Sequence, residues 1–170
     1  MNRLICPGQA IKTLRSTIAH CTPWTRATQD EITPLLRCYM DELSGYGAKA
    51  DGDYPFLSTF WRHPTRLALG LGRHPLQGFV LLVEDQDPGD GRTTIEVREF
   101  YVSPTYRRAG IGRHAVHRLL AQWQGDWQLS VLKNNVSALE FWQSVLSERS
   151  VSIHVTATHH HLSVGGRQAR

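Results

Sequence analysis

Apolar residues recur along this chain with two different periods, and each change of period marks an element. Ile32, Leu35, Leu36, Tyr39, Met40 and Leu43 fall at spacings of three and four, one stripe of an amphipathic helix. Ahead of them Thr28-Gln29-Asp30-Glu31 has capping-box spacing, with Glu31 able to reach back to the Thr28 N–H. Pro34 lies deep for that start and suits one at Thr33, with the proline in the first turn. Both starts stay open, and either helix ends by Gly45. The period then shifts to that of strands. Arg66–Leu71 and Gly78–Asp85 flank a turn, and Phe79–Val83 is a continuous apolar run, as in a strand covered on both faces. Asp85–Arg92 is a polar hairpin loop, followed by a β-branched and aromatic strand from Ile95 to Val102. Helical spacing returns in Ile111, Ala115, Val116, Leu119 and Leu120, with Gly125 as the stop. Trp127–Leu132 reads as the next strand, Val136–Leu146 as a short helix, and Val151–Thr158 as a final strand running on through His159–His161 toward Val164.

The outer segments are less patterned. Residues 1–15 show no clear period and read as an N-terminal extension or loose start. A first strand is expected within Ser16–Arg26, one domain over 16–164, and a polar tail over 165–170. Tyr54-Pro55-Phe56-Leu57 leads into a short helix through Trp61, and the aromatics of this segment (Phe56, Phe60, Trp61) suit a core better than a substrate wall.

The stretch from Ile95 to Gly112 holds the first candidate chemistry. A strand ends at Ser103-Pro104, and Arg107-Arg108-Ala109-Gly110-Ile111-Gly112 joins it to a helix. Glycines let backbone N–H groups turn into one concavity, and the helix adds the positive end of its dipole. Such a site binds pyrophosphate, and Arg107 and Arg108 add charge where phosphates would sit.

Composition narrows the function. The chain has 170 residues, enough for one domain with a substantial core. It carries a net charge of +4, a balance that nucleic acid could explain. The excess, however, sits between Arg98 and Arg118, where five arginines face one glutamate, and no basic stretch is interleaved with aromatics as in a single-strand binder. A polyanionic cofactor is the simpler account. No apolar run is long enough to span a membrane, and residues 1–20 lack the apolar core of a signal peptide, so the cytoplasm is the expected location. Cys6, Cys21 and Cys38 have no metal spacing and read as free thiols. His159, His160 and His161 alternate faces if extended, so no metal site is expected there.

Two motifs carry a family resemblance. Arg107-x-x-Gly110-x-Gly112, after Glu99-Phe100-Tyr101-Val102-Ser103-Pro104, resembles motif A of the GNAT superfamily of acetyl-CoA-dependent N-acetyltransferases. Asn135-x-x-Ala138-x-x-Phe141-Trp142 resembles its motif B, in a form similar to a little-characterised subgroup with Phe-Trp at the aromatic pair. The resemblance implies a single-domain α/β (α+β) fold: a mixed, mostly antiparallel sheet with flanking helices and a splayed central pair of strands. It implies acetyl-CoA as cosubstrate, held by Phe100, Tyr101, Val102, Arg107, Arg108, Ala109, Gly110, Ile111, Gly112, Arg113, Asn135, Ala138 and Trp142. Pantetheine would pair with the open edge of the central strand.

The resemblance also points to Glu99 as general base, taking a proton from the acceptor ammonium through water. Glu96 is the alternative carboxylate, turned to the other face unless a bulge intervenes. A backbone N–H near Phe100–Val102 would meet the oxyanion. Many members have a tyrosine acid as the second aromatic of motif B; here Trp142 stands there, and an indole N–H is no useful acid. Asp41, Glu42, Asp51 and Asp53 make the segment 41–54 acidic, which favours a cationic small-molecule amine as acceptor. Acetylation of a protein amine and a non-catalytic acyl-CoA-binding module are the alternatives. Family members are often dimers, so a homodimer is admitted.

Overall fold

The structure is a computed structural model of the chain, and it describes residues 8–18, 24–48, 57–72, 75–123 and 125–166. In chain order the elements are α1 (Gln9–Ile18), β1 (Trp24–Arg26), α2 (Gln29–Ser44), α3 (Leu57–Phe60), β2 (Arg66–Leu71), β3 (Gly78–Gln86), β4 (Thr93–Val102), α4 (Ile111–Gln122), β5 (Asp126–Leu132), α5 (Val136–Val145), β6 (Val151–Val155) and β7 (His159–Val164). A single 3-10 turn, Pro104–Tyr106, lies between β4 and α4. The strands form one seven-stranded sheet in the order β1-β2-β3-β4-β5-β7-β6. Every neighbouring pair is antiparallel except the central pair, β4 and β5.

The sheet has an apolar layer on each face. On one, α1, α4 and α5 cover a core that includes Val80, Leu82, Ile95, Val97, Leu129 and Trp142. On the other, α2 and α3 cover a smaller core that includes Phe79, Leu81 and Tyr101. The continuous apolar run of β3 thus faces both layers, as its composition predicts. Phe60 belongs to the smaller core, and Trp61 packs against it while its indole N–H donates to the Ala27 carbonyl (2.8 Å). Phe56 lies outside the described residues.

Helix α2 starts at Thr28, with both halves of the capping box formed: Glu31 N–H donates to Thr28 Oγ1, and Thr28 N–H to Glu31 Oε2. Pro34 is therefore inside the helix, where its missing N–H forgoes one bond. The reciprocal cap settles the start against the proline.

Three expectations about the ends of the chain change. The segment read as an extension contains α1, whose Ala10, Ile11 and Leu14 are fully buried. Its apolar positions, Ala10, Ile11, Leu14 and Ile18, fall at helical spacing but run past the end of the segment read as an extension. The carboxylate of Glu84, on β3, fixes its start. That carboxylate is 5% exposed and accepts from the N–H groups of Gly8 (2.7 Å) and Ile11 (2.8 Å), satisfying donors that a helix start leaves open. The final strand is instead a hairpin. It turns over Thr156–Thr158, and β7 inserts between β5 and β6, so the histidine run lies in a second strand of its own. In the expected tail, Gly165 donates to the Ser150 carbonyl (3.0 Å) and Gly166 to Asp126 Oδ1 (2.9 Å). Helix α4 also stops earlier than Gly125, where Trp123 turns extended.

Glu84→Ala should lower unfolding stability by about 2 kcal/mol, because two buried N–H donors lose their acceptor. Urea unfolding would read this directly. An unchanged midpoint would mean that α1 is not held through this carboxylate.

Candidate active site

The site begins with an irregularity in β4. Leu82 pairs with Val97 and Leu81 with Glu99, so Arg98 is an extra residue, a β-bulge. In a regular strand Glu96 and Glu99 would face opposite sides. The bulge resets the alternation: Glu96 lies opposite Val83 and Glu99 opposite Leu81, both on the α2 face. Val97 and Phe100 together face the α4 and α5 layer.

The same place ends the parallel pairing. Strands β4 and β5 pair only from Thr94–Asp126 to Val97–Leu129. Beyond that, among the described residues, no strand pairs with the edge of β4 that faces β5. The parting opens a cavity of about 310 Å3 lined on one side by Glu96–Phe100 and on the other by Leu129–Leu132. Asn135, Ala138 and Trp142 of α5 border it from one sheet face, and Tyr39 and Leu43 of α2 from the other. The slot therefore passes through the sheet. A larger hollow, about 440 Å3, lies at the far end of the sheet around Asp87 and Asp126, away from both motifs.

The motif B residues form one wall. Asn135 caps α5: its Oδ1 accepts from the Ala138 N–H (3.1 Å) and the Ser137 hydroxyl (3.2 Å). The amide nitrogen is the group left to meet a ligand. Trp142 is buried and packs edge-on to Phe100 (5.2 Å between centroids) and Phe141 (5.3 Å).

Residues 108–113 form a loop and helix start whose N–H groups are open. Gly110 has φ 77°, and Arg108, at 66°, is the sole non-glycine with positive φ among the described residues. From Arg108 to Arg113, no N–H donates to a backbone carbonyl among the described residues; the first intrahelical bond is His114 N–H to Gly110 O. Six donors at a helix start, with two left-handed residues among them, make a nest for an anion. A Cβ on Gly112 would lie 3.4 Å from both the Phe141 ring and the Val102 side chain. The glycine thus lets α4 approach β4 and α5.

The charged side chains are arranged less simply than their spacing implies. Arg107 turns away from the nest. Its Nη1 and Nη2 donate to both carboxylate oxygens of Glu42 (3.0 and 2.6 Å), and its Nε donates to the Val102 carbonyl (2.7 Å). The hydrogen bond to Glu42 holds its guanidinium above the usual arginine range, against the opposing effect of burial. Arg113 bonds the carbonyl and hydroxyl of Ser144. Arg108 is exposed at the loop.

Of the acidic residues expected to meet a cationic acceptor, Glu42 is bound to Arg107 and Asp41 is exposed outside the cavity lining. Asp51 and Asp53 lie outside the described residues. The carboxylates that do line the cavity are Glu96, bridged to Arg98 (3.0 Å), and Glu99. Glu99 Oε2 accepts a hydrogen bond from the Tyr39 hydroxyl (2.7 Å). Tyr39 went unrecognised as a site residue because its spacing makes it one more member of the α2 stripe. Its hydroxyl, the one polar tip in that stripe, was the available signal. His159, at the start of β7, also lines the cavity and could be placed there only once the hairpin was known. Tyr101 faces the α2 layer, and burial pushes its phenol up, with the neighbouring Cys38 thiol adding to this and Arg107 opposing. Among the described residues no cluster of histidine, cysteine or carboxylate side chains could hold a metal, and no helix is long and apolar enough to cross a membrane.

A split parallel pair beside an anion nest is the arrangement of an acyl-CoA transferase. The sequence profile of the acetyltransferase (GNAT) family matches residues 20–146. The chain therefore belongs to the GNAT acetyltransferases, and acetyl-CoA is its cosubstrate. Solved structures agree in fold. Diaminobutyrate acetyltransferase EctA from Paenibacillus lautus, solved with L-2,4-diaminobutyric acid and coenzyme A, superposes with a TM-score of 0.59 at 15% identity, over 84% of this chain and 93% of that one. Arabidopsis thaliana NAA60, bound to a bisubstrate analogue, gives 0.61 at 13% identity over 84% and 96%. The putative acetyltransferase yncA from Salmonella typhimurium, with acetyl-CoA, gives 0.59 at 11% identity over 84% and 92%. No curated protein matches by sequence.

Gly110→Val places a β-branched residue at a left-handed position, at a cost of about 1–2 kcal/mol. It should weaken coenzyme A binding about tenfold or more in calorimetric titration, with little change in fold by circular dichroism. Unchanged affinity would mean that the nest does not hold the pyrophosphate.

Proposed function

We propose that the protein transfers an acetyl group from acetyl-CoA to the primary amine of a small cationic molecule by direct attack. The observation that supports this most is the slot through the sheet, with motif B on one side and two carboxylates, Glu96 and Glu99, reached from the other. The pyrophosphate of acetyl-CoA occupies the nest of Arg108–Arg113, assisted by the exposed charge of Arg108. Arg107 serves by shaping the loop through Glu42 and the Val102 carbonyl, and not as a direct phosphate ligand. Pantetheine runs along the unpaired edge of β4 beside Phe100, Tyr101 and Val102, with Asn135 Nδ2, Ala138 and Trp142 opposite.

The acceptor enters from the α2 face as an ammonium ion, drawn by Glu96 and Glu99. Glu99 accepts through a water the proton that this ion must lose, because only the neutral amine attacks a thioester. A backbone N–H near Phe100–Val102 meets the oxyanion. Binding both partners in one narrow slot supplies proximity.

Trp142 at the place of the family's tyrosine supports a second reading, a module that binds acyl-CoA without turnover. The two readings separate in one assay. Purified protein with acetyl-CoA should release thiol when offered spermidine, L-2,4-diaminobutyrate or a peptide with a free N-terminal amine, and fastest with one of the first two. Acetyl-CoA binding without thiol release favours the module. Preference for the peptide replaces the small-molecule acceptor with a protein one. Where turnover is seen, Glu99→Gln should lower kcat/KM about a hundredfold with coenzyme A affinity unchanged. An unaltered pH–rate profile in that variant would remove Glu99 as base.

A further inference from the structure

We propose that Tyr39 and Glu99 form a proton relay in which the Tyr39 hydroxyl delivers the proton to the departing coenzyme A sulfur. The inference rests on the acetyl-transfer reading above. The Tyr39 hydroxyl donates to Glu99 Oε2 at 2.7 Å, and both residues line the slot together with Phe100, Asn135 and Trp142. The Tyr39 ring is fixed, edge-on to Phe79 (5.8 Å between centroids) and 5.5 Å from the Tyr101 ring. Other candidates for the acid are poorly suited. The Trp142 indole is a donor only, and Tyr101 is 4% exposed and does not line the slot.

The chemistry follows from the direction of one hydrogen bond. With Glu99 ionised, the carboxylate only accepts, and Tyr39 points its proton at it. Once Glu99 is protonated it becomes the donor to the phenol oxygen, and the phenol O–H turns toward the slot. The acceptor nitrogen loses two protons in all. The first leaves the ammonium through Glu99 and its water to bulk solvent. The nitrogen then attacks the carbonyl carbon, the C–N bond forms, and the second proton passes to Glu99. When the C–S bond breaks, its electron pair stays on sulfur. The sulfur takes the Tyr39 proton, and the proton on Glu99 moves along the 2.7 Å bond to the phenolate oxygen. The products are the amide, the free thiol and one proton in solvent, with both side chains restored. The acid is thus carried by α2, on the opposite sheet face from α5.

Titratable and charged groups around the relay are Glu96, Arg98 and His159 in the slot lining and Tyr101 against the ring. The test compares the unaltered protein, Tyr39→Phe, and protein carrying 3-fluorotyrosine at position 39. Acetyl-CoA is the donor, and spermidine, L-2,4-diaminobutyrate and the free-amine peptide are the acceptor probes. No thiol release from the unaltered protein with any of them removes the transfer reading and the relay together. Given turnover, Tyr39→Phe keeps the ring contacts and should lower kcat about a hundredfold, with acetyl-CoA affinity and acceptor KM within about threefold. The more acidic fluorinated phenol should shift the descending limb of kcat against pH to lower pH. The transfer reading survives and the relay falls if Tyr39→Phe retains kcat within about threefold. It falls equally if the variant's loss lies in acceptor KM, or if fluorination leaves the limb in place, since Tyr39 then only positions Glu99.

Discussion

One extra residue in β4 sets the geometry on which everything else depends. At Arg98 the strand bulges, and at the same point its pairing with β5 ends. An unbroken parallel pair would present two buried apolar faces and no opening. The bulge instead turns Phe100 into the α4 and α5 layer and leaves Glu96 and Glu99 together on the α2 side. The slot thus has an apolar, aromatic wall against which a thioester can lie and an acidic wall that an amine can approach. Bulges increase local twist, so strand divergence and the resetting of faces have one cause.

Helix α2 ties the two halves of the site together. Tyr39 and Glu42 lie three residues apart, on one face of the helix. The first bonds Glu99 in the slot, and the second bonds Arg107 at the head of the glycine-bearing loop. Arg107 in turn bonds the carbonyl of Val102, the last residue of β4. The acidic wall of the slot, the central strand and the anion nest are therefore joined through a single helix. The turn after α2 is also linked to the residue ahead of motif B, where Asn134 Nδ2 donates to the Tyr46 carbonyl (3.4 Å). This network pairs Arg107 with Glu42, as Arg98 pairs with Glu96 in the slot lining.

Much of the fold was legible because its signals are local. Alternation and turn chemistry placed the inner strands, and the apolar stripe placed α2, with its start left open between the capping box and Pro34. Short glycine spacing marked the nest, since φ near +77° at Gly110 is a backbone demand that sequence records directly. What was not legible depends on contacts between distant residues. The anchor of α1 is a carboxylate 76 positions away from Gly8. The hairpin of β6 and β7 replaced one expected strand because nothing in Val151–Val164 marks a turn strongly. The partnership of Arg107 with Glu42 spans 65 positions, and both charges read naturally as ligands for something else. Tyr39 shows the same limit: helical period predicts which face it occupies, and only the packed structure shows that its hydroxyl meets Glu99.

One cosubstrate is proposed to lie both in the nest of Arg108–Arg113 and along the open edge of β4. Amide hydrogen exchange, with and without saturating acetyl-CoA, tests both parts at once. The account predicts slowed exchange confined mainly to the amides of residues 108–113 and of β4 beyond Val97, where strand pairing with β5 has ended. Saturable acetyl-CoA binding with exchange unchanged in both segments would contradict it and place the cofactor elsewhere on the sheet.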